Sequence, residues 1–259
     1  MDKTLAKGLA ILEFLATCDA PCKLAVIAQR LGMTKSNVHR LLQTLASLGY
    51  VRNVADSGDY ALTVKIWSVG MSIINRLDIK SIAGEYLQRL VEATGETVHL
   101  SVLNDGRVVY IDKIDSPHPV RAYSMIGGQA PAHCVATGKV LLAYAPEDLV
   151  NPIVEALEKF TKSTITDPQR LRRALAEIRH QGYAVNLGEW REGVFGAAAP
   201  IFDASSQVVA AVGISGPAER MKSRLESDLV PHVVEQAREI SRRLGYQGHA
   251  EHVLNGRAG

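Results

Sequence analysis

Leu24–Val51 reads LAVIAQRLGMTKSNVHRLLQTLASLGYV, and this stretch decides the fold of the N-terminal region. Leu24, Ile27, Ala28 and Leu31 recur at helical spacing and stop at Gly32, which predicts a short helix. Thr34 is placed to cap a second helix, its hydroxyl accepting a backbone N–H of the first turn. Val38, Leu41, Leu42, Leu45 and Leu48 then form one apolar stripe, and Gly49 ends it. The opposite face carries Lys35, Ser36, Asn37, His39, Arg40, Gln43 and Thr44, side chains that reach phosphates and base edges. Upstream, Leu5, Leu9, Leu12 and Leu15 mark a helix from Thr4 to about Thr17, broken at Asp19-Ala20-Pro21. Two short helices, a tight turn and a polar-faced helix follow the helix-turn-helix order, in which the second helix of the motif enters the major groove. Downstream, Tyr50-Val51-Arg52 and Tyr60-Ala61-Leu62 flank a turn-rich connection, predicting a hairpin wing. The rival reading is a three-helix packing unit with no DNA role.

Charge distribution bears on that choice. The 259 residues carry a net charge of +2, with 47% hydrophobic and 22% charged residues, a composition of ordinary globular type. From Ala20 to Ala55 there is no Asp or Glu, yet Lys23, Arg30, Lys35, Arg40 and Arg52 all fall there. A local basic excess in a near-neutral chain points to a polyanion. No apolar run approaches the roughly 18 residues of a membrane span. Glu13 interrupts the N-terminal apolar stretch, so a signal peptide and a membrane partner are not expected. Three cysteines imply no disulfide framework, and a cytoplasmic protein is expected.

Beyond the wing, Thr63 to about Leu77 reads as a helix apolar on more than one side (Val64, Ile66, Trp67, Val69, Met71, Ile73, Ile74), which must find something to pack on. A helix follows from Ser81 to about Thr94. The segment TVHLSVLNDGRVVYIDKID alternates on either side of Asn104-Asp105-Gly106, a strong hairpin signal. Val120–Ser124 is expected as a strand, Ile153–Phe160 as a short helix and Pro168–Gln181 as a longer one. GYAVN and the two halves of GAAAPIFDASSQVVAAVGIS supply further strands. Leu225 to Leu244 forms a last helix kinked at Pro231. Hairpins mixed with helices, without regular βαβ alternation, predict an α+β fold around an antiparallel sheet. The expected organisation is a winged helix-turn-helix domain at 1–62, a linker helix at 63–80, an effector domain at 81–246 and a loose tail at 247–259.

The pair His133-Cys134 raises the question of catalysis. It precedes a helix over Ala136–Tyr144, and a thiol near such an N-terminus would have a lowered pKa. A cysteine hydrolase with Cys134 as nucleophile also needs a base held by a third group. His133 is adjacent and points elsewhere, while His99 lies on a strand and is a possible approach. A zinc site from His99, His133 and Cys134 is a second option, with the chain acting as a thiol or metal sensor. Cys18 and Cys22 lack metal-site spacing. The third reading fits best: a helix N-terminus edged by Ala132, Ala136 and Gly138 offers room and donors to a small carboxylate. On it no catalytic residue, metal or cofactor is expected.

The chain resembles the IclR family of bacterial transcriptional regulators, through the quoted winged-helix stretch, GGQAPAHCVATGKVLLA and AAAPIFDASSQVVAAVGISGP. The resemblance spans about Leu5 to Leu244 and implies a GAF-like effector domain and a linker helix that pairs subunits. It implies a homodimer or dimer of dimers on double-stranded operator DNA, controlling a catabolic or metabolic operon in response to a small carboxylate or aromatic acid. DNA contacts are expected from Thr34, Lys35, Ser36, Asn37, His39, Arg40, Gln43 and Arg52. Asp59, Tyr60 and Ala61 replace the basic residue such wings often carry, shifting binding toward the third helix and Arg52. Effector contacts are expected in the loop containing His133 and Cys134 and near Ala122, Ala136, Thr137, Asn186, Val194, Gly196 and Ser215. The family often has an acid where Asn186 stands and a larger side chain at Gly196, so a roomier, less charged pocket is expected.

Overall fold

The computed structural model describes residues 2–54, 57–74 and 78–248. The chain divides into two compact units, Met1–Arg76 and Leu77–Gly259. In the first, α1 (Lys3–Ala16) begins at Asp2, whose carboxylate accepts from the Thr4 and Leu5 N–H groups. Helices α2 (Leu24–Arg30) and α3 (Lys35–Ser47) follow, separated by Gly32 at φ +61°. Thr34 caps α3 by accepting from Asn37 N at 3.4 Å. Strands β1 (Val51–Asn53) and β2 (Tyr60–Leu62) pair antiparallel as a wing. Ile11, Leu15, Ile27, Val38, Leu42, Val51 and Tyr60 form one apolar core, so the stripe read from α3 is its buried side. Helix α4 (Val64–Ile74) closes the unit. The far end of the expected linker, the wing tip at 55–56 and the tail from 249 on lie outside the described residues.

The second unit starts with α5 (Asp78–Thr94), three residues earlier than the pattern suggests. Strands β3 (Thr97–Asn104) and β4 (Arg107–Ile114) form the expected hairpin, with Asp105 at φ +46° and Gly106 at φ +75°. Left-handed backbone at both central positions matches the natural twist of paired strands. A short edge strand β5 (Gln129–Pro131) leads to a 3₁₀ turn at Ala132–Cys134, then α6 (Ala136–Tyr144), α7 (Glu147–Glu155) and α8 (Pro168–Gln181). Strands β6 (Ala184–Leu187), β7 (Val194–Phe202) and β8 (Val208–Pro217) precede α9 (Ala218–Met221) and α10 (Val230–Arg243). The sheet is antiparallel, ordered β5-β4-β3-β8-β7-β6.

Period-two alternation sends Val98, Leu100, Ala197, Ala199, Ile201, Ala210 and Val212 to one face, against Leu87, Leu90, Val233 and Ile240 of α5 and α10. The other face is built of small residues. Ala198 and Ala211 pack with Val140, Leu142, Leu171 and Leu175 of α6 and α8. Gly213 lies between them, where a Cβ would stand 2.9 Å from Thr137 Cγ2 and 2.7 Å from the Ala197 carbonyl oxygen. Gly138 is tighter still, a Cβ there colliding with the Ala132 carbonyl oxygen. These glycines let the first turn of α6 settle on both the sheet and the turn before it.

Three elements differ from expectation. Val120–Ser124 is not a strand, because its carbonyls are tied to side chains and not to a neighbouring strand: Arg220 Nη1 donates to Val120 O at 3.1 Å, Arg191 Nη1 to Tyr123 O at 3.3 Å and Lys113 Nζ to Ser124 O at 2.8 Å. The helix expected at Ile153–Phe160 is α7, which starts at Glu147 and carries Pro152 inside. Pro231 lies in the first turn of α10, where its missing N–H is harmless, and the irregularity precedes it as a π turn at Leu225–Leu229.

Candidate effector cavity and nucleic-acid interface

The N-terminus of α6 faces a cavity of about 50 Å³ inside the second unit. Val135 provides no side-chain cap, and the N–H groups of residues 136–138 have no acceptor among the described residues. Orphan N–H groups with the partial positive charge of a helix start make an anion seat. The sheet supplies the facing wall. Register aligns Asn186 on β6, Gly196 on β7 and Ser215 on β8 in one row across three strands. Ala122, Tyr123 and Ser124 close the top, and Tyr110, Trp190, Arg191, Val194 and Ile214 complete the lining.

Hydrogen bonding divides these groups into committed and open ones. His99 Nε2 lies 2.7 Å from Ser215 Oγ, and its Nδ1 lies 3.3 Å from Ser124 Oγ. The imidazole thus bridges the sheet floor and the loop above. Burial, aided by the Lys113 charge and opposed by Asp115, pulls its pKa down to about 4, so it is neutral at pH 7. Burial likewise pushes the Tyr110 hydroxyl up to about 12, with Arg191 opposing. Asn186 Oδ1 accepts from Glu189 N at 3.0 Å. Its Nδ2, the Thr137 hydroxyl and the Tyr110 hydroxyl have no hydrogen-bond partner among the described residues, although all three side chains are buried. The Arg191 guanidinium stacks over Trp190 at 4.3 Å, at the edge of the cavity.

Behind the cavity a buried ion pair fixes α6 to the β6–β7 connection. Lys139 Nζ donates to both Glu189 carboxylate oxygens, at 2.7 and 2.6 Å. Desolvation still raises the Glu189 pKa, with Lys139 opposing. The Thr164 hydroxyl donates to the Glu189 carbonyl at 2.6 Å and the Thr161 hydroxyl to the Gly188 carbonyl at 2.7 Å. A second cleft, of about 230 Å³, lies between α6, α7 and α8. Its Arg172 is already committed to Glu147 and Asn151, at 3.0 and 2.6 Å.

Ala122, Ala136, Thr137, Asn186, Val194, Gly196 and Ser215 all line the first cavity. His133 and Cys134 do not. The ring of His133 turns away, its Nε2 3.0 Å from the Glu158 carbonyl. Cys134 is fully buried, and desolvation, followed by the charge of Glu189, pushes its thiol up to about 12. The lowered pKa expected of a nucleophile is therefore reversed, because Cys134 sits in the turn before the helix and not on its open end. His99, His133 and Cys134 do not converge, and no group of three metal-ligating side chains occurs among the described residues. Gly196 also reads differently: a Cβ there would stand 2.7 Å from the Ile214 carbonyl oxygen, so glycine answers to the sheet and not to pocket volume. Pattern reading missed Tyr110, Ser124, Trp190 and Arg191. The local signal was the β6–β7 loop itself, with Trp190-Arg191 between Gly188 at φ +85° and Gly193 at φ +76°.

In the first unit, α3 turns Lys35, Ser36, His39, Arg40, Gln43 and Thr44 outward. Asn37 is half-buried, and its Oδ1 accepts from Arg40 Nη2 at 3.5 Å. The Thr34 hydroxyl is shared between the cap and Ser36 Oγ, 3.3 Å away, so its first task is structural. Arg52 is exposed on β1. Among the described residues no helix is long and apolar enough to cross a membrane.

Comparison with known proteins matches both units. The IclR helix-turn-helix domain model covers residues 4–55, and the C-terminal domain model of the bacterial transcriptional regulator IclR covers residues 71–242. HTH-type transcriptional regulator KdgR of Escherichia coli is 38% identical over 222 residues, 85% of this chain and 84% of the relative. Transcriptional repressor IclR of the same organism is 32% identical over 250 residues, 95% of this chain and 90% of the relative. The crystal structure of the Thermotoga maritima IclR is 32% identical, with a TM-score of 0.72 covering 95% of this chain and 100% of that one. With the outward polar face of one unit and the donor-lined cavity of the other, these matches place the chain in the IclR family of bacterial transcriptional regulators, as a ligand-responsive DNA-binding protein.

Proposed function

We propose that α3 and Arg52 grip double-stranded operator DNA while the cavity at the start of α6 holds a small carboxylate effector. The chain regulates a catabolic operon in the cytoplasm and performs no chemistry on its ligand. The observation that carries the DNA reading is the outward face of α3, which presents Lys35, Ser36, His39, Arg40 and Gln43 without a carboxylate anywhere between Ala20 and Ala55. Lys35 and Arg40 serve phosphates or guanine, and Ser36, Asn37 and Gln43 serve base edges. The effector reading is supported by the orphan N–H groups of α6 and by the Asn186 amide nitrogen, left without a partner while its oxygen accepts from Glu189 N, on a side chain lining the same space. The pushed-up thiol of Cys134 argues against the cysteine hydrolase and thiol-sensor alternatives.

The working assembly is a homodimer or a pair of dimers, since one recognition helix covers too few base pairs. Leu5 and Leu9 on α1 are 64% and 51% exposed, and Trp67 on α4 is 65% exposed, apolar surface suited to a second subunit. An effector shifts the balance between arrangements of the DNA-binding heads only by its differential affinity for them. Fluorescence anisotropy with a duplex from the chain's own promoter region tests the DNA reading. Affinity is expected to fall with log salt, by a slope of about 0.9 per phosphate neutralised, and Arg40→Ala or Lys35→Ala to reduce that slope by about one each where the residue meets phosphate. Binding that ignores salt, or no binding to the duplex, would overturn it.

A further inference from the structure

We propose that Thr63 and Lys65 are positioning residues that lock α4 to the end of α3 and so set which spacing of operator half-sites a pair of subunits accepts. This rests on the reading of α3 as the recognition helix and of α4 as part of the subunit contact, and it names what joins the two. The end of α3 is closed on itself. Gly49, at φ +76°, lets its own N–H reach the Ala46 carbonyl at 2.9 Å and the Tyr50 N–H reach the Leu45 carbonyl at 2.9 Å. That closure satisfies inner carbonyls of the last turn and leaves those of Leu48, Gly49 and Tyr50 to find partners elsewhere. All three accept from Thr63 or Lys65. Lys65 Nζ donates to Leu48 O at 2.6 Å, the Thr63 hydroxyl to Gly49 O at 2.6 Å and Thr63 N to Tyr50 O at 3.0 Å.

The same Thr63 oxygen accepts from Lys65 N at 3.2 Å, in the manner of a helix cap. One hydroxyl therefore finishes the recognition helix and starts the next. The Lys65 stem lies across Gly49, its Cδ 3.7 Å from where a Cβ would stand, and its ammonium lies 4.6 Å from the centre of the Tyr50 ring. The negative end of the α3 dipole favours a cation at this place. Three hydrogen bonds fix direction as well as distance, where a single one would leave a hinge. Val64 and Trp67 are exposed on α4, so whatever angle α4 takes against a partner is passed on to α3. One base pair displaces a half-site by about 3.4 Å and about 35° around the duplex, an error that a rigid head cannot absorb. The rival role for the exposed Lys65, a direct contact to phosphate, predicts a different dependence on salt.

Fluorescence anisotropy of the full chain tests this, on duplexes from its own promoter region. One duplex is native, and two have a base pair inserted or removed midway between the half-sites that hydroxyl-radical footprinting locates. The wild type is expected to prefer the native spacing by about tenfold or more. In Lys65→Met and in Thr63→Val that preference should shrink about fivefold, the worth of one hydrogen bond, with the salt slope unchanged. Lys65→Arg and Thr63→Ser keep the donors and should keep the preference, with circular dichroism reporting an intact fold in every variant. A salt slope lower by about one in Lys65→Met would make Lys65 a phosphate contact and overturn the inference. So would a preference that neither Lys65→Met nor Thr63→Val moves, or a wild type indifferent to spacing. No binding of the wild type to the native duplex would instead overturn the reading of α3 as a recognition helix.

Discussion

Cys134 illustrates how far a residue's chemistry depends on neighbours that its sequence context does not reveal. Beside a histidine and ahead of a helix, it reads as activated, yet desolvation pushes its thiol up to about 12. Iodoacetamide at pH 8 should accordingly reach Cys134 only after denaturation and label Cys22, whose thiol burial also pushes up to about 11, only slowly, so that the partly exposed Cys18 is the first site modified in the native chain. Three labels on the native protein by mass spectrometry would contradict the burial. His99 has the opposite sign. Its pKa falls from the ordinary 6.5 to about 4, so below pH 6.5 the unfolded chain takes up a proton that the folded chain refuses. That contribution to stability is present above about pH 6.5 and is lost as pH falls toward 4, a full difference of about 3 kcal/mol. Urea melts of the wild type and His99→Gln should differ by a constant amount above pH 7 and shift against the wild type between pH 6.5 and 4. A pH-independent difference would mean that His99 titrates normally.

Among the elements, α6 is held in place by what its neighbours lack. At Gly138 and Gly213 the neighbours approach so closely that a methyl group has no room, and the nearest atoms at Gly138 belong to the Ala132 backbone, which cannot swing aside as a side chain would. Gly138→Ala should cost about 1–3 kcal/mol and displace the anion seat with it. Melting temperature and effector affinity would fall together, whereas an unchanged melt would show that the turn at 132–134 has slack. Other elements show what was legible from local pattern. The β3–β4 hairpin announces itself through alternation around Asn104-Asp105-Gly106, and α8 through Asp167 at its start and Gly182, at φ +79°, after its end. In contrast, α7 begins ahead of the expected Ile153, with Pro146 preceding Glu147 and Asp148 in its first turn and Pro152 inside it, a position that interior pattern alone does not assign to a helix. The loop at 120–124 mimics a strand in composition but owes its shape to Lys113, Arg191 and Arg220, far away in sequence.

At the level of the whole molecule, the α+β class and the order of a winged helix followed by a sheet domain were readable because both follow from periodicity and turn chemistry. The cavity was readable only in part. Ala122, Asn186, Val194 and Ser215 came from resemblance, since nothing local marks them. Tyr110, Ser124, Trp190 and Arg191 join them through pairing between β3, β8 and β4 and through loops that no window of sequence can fold alone. Assembly is the next level up. Leu5→Asp together with Leu9→Asp places charge on the exposed side of α1, away from Ile11 and Leu15 in the core. Sedimentation velocity should show a lighter species at micromolar concentration and anisotropy a weaker hold on DNA, with melting little changed. An unaltered sedimentation coefficient would remove α1 from the subunit contact.

The loop over the cavity has a bearing on how this regulator can diverge. Arg220, Arg191 and Lys113 hold it by the carbonyl oxygens of residues 120, 123 and 124, atoms that every amino acid possesses. Mutation can therefore rewrite Val120 or Tyr123 without loosening the grip. A lineage is free to try new ligand preferences on a roof whose fastening its own side chains do not supply.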